Sequence, residues 1–218
     1  MTILEMHEMF RVLGQRMGLE RVRGILEESI DVCLNDAINE IVDNVIKSNV
    51  QTVYKDKITI QDNPISPVNG VSTLYKEVDK NGSIESDSPV VLTVEDIRYI
   101  YGFSVAYPGN TVYKQCRLIE PDRVEITLSD YCSRASKEYP IVTVVDVNEK
   151  TGEYTIRPYT DGNRVSSIRM KYIKNPVKVS LEEEVDCDLP EHLHKDVVEV
   201  AVTKYLQSVG STTQNVRQ

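Results

Sequence analysis

The chain has 218 residues, 40% hydrophobic and 27% charged, with a net charge of −9. That length can bury a real core, as one large domain or one and a half small ones. The acid excess excludes a nucleic-acid-gripping surface spread over the whole molecule, because phosphate binding needs clustered Lys and Arg. No stretch reaches the roughly 20 apolar residues of a membrane-crossing helix. The opening MTILEMHEMF lacks the basic start and apolar run of a secretion signal. Cys33, Cys116, Cys132 and Cys187 show no CxxC spacing, so neither a zinc ribbon nor a redox motif is written here. They read as free thiols of a reducing compartment.

In chain order, the first predicted element is a helix with Ile3, Met6, Phe10, Leu13 and Met17 on one face. Thr2 and Glu5 stand as a capping box, and Gly18 suits its end. The second, EESIDVCLNDAINEIVDNVIK, carries the stripe Ile30, Leu34, Ala37, Ile38, Ile41, Val45 and Ile46. Its acids read as a solvated face, with Glu27, Glu28 and Asp31 in the first turns favouring the positive end of the helix dipole. The two helices are expected to pair as an antiparallel hairpin through GLERVRG.

From Val50 the pattern changes. KITIQD alternates like a strand, and a Pro-, Gly- and Ser-rich loop spans about 61–89, with a short hairpin at KNGS. From Val90 to about Ser180 the chain reads as β. RYIYGFSVAY, TVYKQCRLI, RVEITLSDYC, PIVTVVDV, EYTIRPY and IRMKYI are short β-branched and aromatic runs divided by turn signals. Gly152 supplies the turn of the hairpin VVDVNEKTGEYTIRPY. Ten of the twelve tyrosines fall between Tyr75 and Tyr172, which suits strands and interfaces. The last helix starts at Pro190 and Glu191, ends at Gly210, and leaves a flexible tail, 211–218.

The expected fold is therefore α+β. A helical domain, 1–50 and 181–210, packs the N-terminal helix pair and the C-terminal helix as a bundle. A β-rich, sandwich- or barrel-like domain, 51–180, is inserted in it.

Catalytic signatures are absent: the chain has no GxSxG, no P-loop and no HExxH. CDLPEHLHKD, from Cys187 to Asp196, has the composition of a metal site but not the geometry. At about 100° per helical residue, His192 and His194 point to nearly opposite sides. His194 joins the apolar face of Leu193, Val197, Val198, Ala201, Val202, Tyr205 and Val209. Cys187 with His192 would supply two ligands, too few for zinc. The expectation is no catalytic, cofactor or metal residue, and a buried, hydrogen-bonded His194.

Three stretches carry a resemblance. LPEHLHKDVVEVAVTKYL resembles the last helix of many tailed-phage head-to-tail connector proteins, where an LPxxLHxxIVxxAVxxYL-like helix recurs. IRMKYIKNPVKVSL resembles their closing strand, with a YxxxP-type ending at Tyr172 to Pro176. EESIDVCLNDAINEIVDN resembles their N-terminal helix. Segment order and composition look most like the tail adaptor or ring proteins of short-tailed, crAss-like phages that infect Bacteroidetes. Both ends of the chain are covered well and the β middle in outline.

The resemblance implies a structural virion protein, not an enzyme and without cofactor. It would be a subunit of a closed, commonly twelve-fold ring in the portal–tail connector. Its partners would be other copies, the portal and adjacent tail proteins. DNA would pass through the ring without sequence-specific binding, and no membrane is involved. The protein would be assembled in the host cytoplasm and reside in the virion. Candidate subunit or partner contacts are His194, Tyr205 and, in the long loop, Pro64, Pro67 and Asn69. The competing readings are a β-sandwich adhesion or carbohydrate-binding module, which would present a tyrosine platform, and a small metal-dependent enzyme.

Overall fold

The computed structural model describes residues 1–18, 24–55, 71–148 and 151–215, with the side chains of 48–55 and 210–215 outside the description. The fold is α+β and divides into two compact units. One is built from both ends of the chain, Met1–Leu74 and Pro176–Gln218; the other is Tyr75–Asn175.

In the first unit, α1 (Ile3–Arg16) begins at the expected capping box: Glu5 N–H donates to Thr2 Oγ1 and Thr2 N–H to Glu5 Oε2. It ends at Met17, followed by Gly18 with φ +97°, the left-handed conformation that glycine adopts without strain. Ile3, Met6 and Phe10 are buried as the periodicity requires, whereas Leu13 is half-buried and Met17, the last of the expected face, caps the helix with half of its surface exposed. Helix α2 (Glu27–Lys55) buries Ile30, Leu34, Ala37, Ile38 and Val42. Among the described residues it reaches beyond the expected boundary at 50, and the 51–180 β span is thereby corrected at its start. KITIQD and most of the GLERVRG turn lie outside the described residues.

Helix α4 (Glu191–Asn215) buries Val197, Val198, Ala201 and Val202. It touches both α1 and α2. Phe10 meets Tyr205 edge to face, with ring centroids 5.9 Å apart, and Lys204 pairs with Glu40 at 2.8 Å. It starts one residue after Pro190 and runs past Gly210, so the expected stop and the tail from 211 are corrected. A single glycine costs a helix only about 1 kcal/mol relative to Ala and does not end it unaided.

The second unit is one seven-stranded sheet in the order β1-β7-β3-β4-β5-β6-β2. Its strands are β1 (Tyr75–Ile84), β2 (Val90–Thr93), β3 (Ile97–Ala106), β4 (Lys114–Leu118), β5 (Ile141–Asn148), β6 (Glu153–Tyr159) and β7 (Val165–Lys174). The outer strands β1 and β2 lie beside one another, so the sheet nearly closes into a barrel. All neighbours are antiparallel except β4 and β5, which run parallel for a short length. Inward side chains fill the interior, among them Leu92, Phe103, Val105, Val142, Ile156, Ile168 and Met170.

Two sequence expectations fail inside this unit. The loop of 61–89 is described only from 71, and there it is mostly the ten-residue strand β1, not a KNGS hairpin. Lys80 and Asn81 pair with Ile168 and Ser167, and the register shifts only beyond Asn81. The strand is polar because its outward Glu77 and Asp79 reach Arg169 on β7, so few apolar residues announce it. RVEITLSDYC is not a strand either. A 3-10 turn, Pro121–Arg123, leads into the short helix α3 (Val124–Ser129). Thr127 Oγ1 donates back to the Arg123 carbonyl, which satisfies the hydroxyl without a partner outside the helix.

Candidate interaction surface

The site begins with how the chain closes on itself. His7 sits on the buried face of α1 at 1% exposure, and its Nε2 lies 2.7 Å from Asp31 Oδ1 of α2. A carboxylate accepts, so Nε2–H donates. The other oxygen, Oδ2, accepts the Leu181 N–H at 3.1 Å. One helical turn on, Asn35 donates to the Val179 carbonyl and accepts from the Val179 N–H, both at 2.9 Å. Asp31 and Asn35 thus stand in for a neighbouring strand, pairing backbone groups of 179–181 that would otherwise be left without partners. The Ile3 N–H donates to Asp186 Oδ1, tying the start of α1 to the same segment. The sequence placed Asp31 on a solvated face and passed over His7. A polar residue inside an apolar stripe was the available signal.

In the stretch CDLPEHLHKD the structure buries His194 and exposes His192, as their helical spacing requires. His194 is 3% exposed and its Nε2–H donates to the Leu189 carbonyl at 2.8 Å. His192 is exposed on the other side. Burial pushes the Cys187 thiol up to about 11, and it raises Cys116 as well, so neither is a thiolate at neutral pH. Among the described residues no group of three or more His, Cys, Asp or Glu is placed to hold a metal ion. A groove of about 400 Å³ between Met17, Glu40, Glu199, Val200, Thr203, Lys204 and Gln207 has a polar rim. Its Lys204 is already engaged by Glu40 and the Asp36 carbonyl.

Of the sequence candidates, His194 and Tyr205 both lie on α4, about three turns apart, and each is engaged within its own unit. Pro64, Pro67 and Asn69 lie outside the described residues. Three tyrosines of the β unit are also engaged. Tyr113 lies under the Arg169 guanidinium at 4.0 Å and donates to Asp79, and Tyr75 packs against Tyr101. Desolvation raises the Tyr75 and Tyr101 hydroxyls, and burial pushes the Tyr107 hydroxyl up to about 12.

What the sequence did not single out is the crossing from β4 to β5. Parallel neighbours need a long return connection, and this one runs through α3 and a chain of turns. Val124 and Ala135 are buried, while Ile126 is 72% exposed, Tyr131 81% and Tyr139 61%. The segment is nonetheless fixed. Asp130 accepts from Cys132 N–H and Ser133 Oγ–H, Arg117 donates to the Ser133 carbonyl, and Ser136 and Tyr139 bond one another. The Tyr131 ring lies under Arg134 at 5.1 Å. The tethered backbone thus holds several large apolar side chains in water.

A scan against protein-family models matched none to this chain, and a search of curated proteins found no match.

Proposed function

We propose that the protein is a structural subunit of a phage head-to-tail connector, a homo-oligomeric ring between portal and tail that surrounds the DNA channel. The observation that carries this reading is the construction of one helical unit from both chain ends, with a β unit inserted between them. That is the segment order of the connector proteins the termini resemble. A helical bundle of α1, α2 and α4 is the finer form of the same reading. It is supported by the contacts of α4 with both partners. Ring closure requires two different, complementary faces on each subunit, and the apolar crossing at α3 offers one. The acid excess suits a channel wall that does not grip DNA. The reading assigns no catalysis, cofactor or metal. The adhesion-module alternative needs tyrosines free to stack on sugar; Tyr75, Tyr101 and Tyr113 are engaged, and the exposed Tyr131 and Tyr139 are the ones it would have to use.

Negative-stain imaging of the purified chain, alone and mixed with extract containing portal, tests it. Closed rings, free or seated on portal, are expected. A chain that enters neither rings nor portal assemblies would overturn the proposal.

A further inference from the structure

Strand β1 pairs with β7 alone, and its other edge pairs with no strand among the described residues. Of its ten residues only Ile84 is buried, at the far end beyond the register shift. The opposite outer strand, β2, has four residues and buries Val90 and Leu92. The difference comes from the core-facing side of β1. Residues directly across paired strands share a face, and Lys76, Val78 and Lys80 lie opposite Tyr172, Met170 and Ile168 of the core. Both lysines are exposed, because an ammonium group is not buried without a partner. Only the half-buried Val78 between them adds apolar area.

The outward side supplies the hold that the inward side lacks. Asp79 takes two nitrogens of Arg169 on β7, at 2.7 and 2.8 Å, and Glu77 takes the third, at 3.0 Å. Tyr113, from the connection between β3 and β4, covers the guanidinium at 4.0 Å and donates to Asp79. Tyr75 donates to Glu77 at 2.7 Å, and Lys171 stands across from Glu77 on β7. The three paired charges are each about a third exposed, so water weakens the pairs. A backbone ladder and one Arg169 clamp therefore fasten β1, with little buried apolar area behind them.

We infer that β1 is a releasable strap, which opens and recloses at the Arg169 clamp while the other six strands stay paired. Local opening favours elements with few buried apolar contacts, and an outer strand that buries one residue in ten is such an element. Opening bares the edge of β7 and leaves its pairing with β3 intact. The strap belongs to the β unit alone and is independent of the connector reading, which portal binding decides.

Amide hydrogen exchange of the full chain, read residue by residue by NMR at one pH, tests it. Wild type is compared with Glu77→Gln/Asp79→Asn and with Glu120→Gln/Asp122→Asn, which removes two charges from the exposed β4–β5 connection. In wild type, the amides bonded between β1 and β7 are expected to exchange about tenfold or more faster than those between β5 and β6. The clamp variant should speed the β1–β7 amides by a further factor of about three to ten, the loss of partly exposed ion pairs. Amides bonded between β7 and β3, and between β5 and β6, should be unchanged, and the control variant should match wild type. Wild-type β1–β7 amides as slow as those of β5 and β6 would overturn the inference. So would a clamp variant that speeds no amide or all strands equally, or a control variant that speeds β1 as much as the clamp variant does.

Discussion

Asp31 shows how much one side chain can organise. It accepts from His7 on α1 and from the Leu181 backbone, while its own helix supplies the position. Removing it strands a donor on a buried ring and a backbone N–H at once. Asp31→Ala should cost about 1–3 kcal/mol in denaturant unfolding. Asp31→Asn, which keeps an acceptor, should cost less. Equal losses would show that shape, not hydrogen bonding, is what Asp31 provides. On the sheet, Arg169 binds Asp79 through two nitrogens, at 2.7 and 2.8 Å. This hydrogen bonding holds the Asp79 carboxyl below its ordinary 3.8, against a smaller opposing desolvation. A depressed folded pKa means the contribution is present above about pH 4 and lost as pH falls through the folded value. Both partners are partly exposed, so the effect is small. Stability measured from pH 5 to 2 should fall less steeply in Asp79→Asn than in wild type.

At the scale of elements, the sequence was readable where one face is apolar and the other wet. α1, its capping box, the α2 stripe and the β5–β6 hairpin stand where their periodicities put them. The reading failed where contacts that no local pattern encodes decide the outcome. β1 reads as loop because its outward residues are chosen for Arg169. VEIT reads as strand because β-branched residues favour strands, yet it follows a 3-10 turn opened by Pro121 and continues as α3. The exposed surface at Ile126 was invisible for the same reason: an Ile in a presumed strand is taken as core. The hairpin turn at Gly152 was legible, but its necessity was not. With φ +64°, a Cβ there would fall 2.6 Å from the Val94 carbonyl oxygen, whose own N–H donates to Gly152. Gly152→Ala should therefore destabilise by about 1–3 kcal/mol through strain and displacement of β2, read as a lower melting temperature.

For the whole molecule, the two units differ in what holds them. The helical unit depends on both chain ends, whereas the β unit is continuous from Tyr75 to Asn175. Tyr75 lies opposite Ile173 across β1 and β7, so both ends of that segment leave side by side from the same end of two paired strands. A fragment of residues 75–175 loses no strand pairing and should fold alone, giving a strand-rich circular dichroism spectrum and a cooperative melt; a molten fragment would contradict the division. The functional claim is a property of many copies, and neither composition nor a single chain's packing states it. The most direct measurement is native mass spectrometry of the chain bound to purified portal rings. The account predicts one closed ring of subunits per portal, in a single stoichiometry, commonly twelve. Binding of scattered single copies, or none, would contradict it.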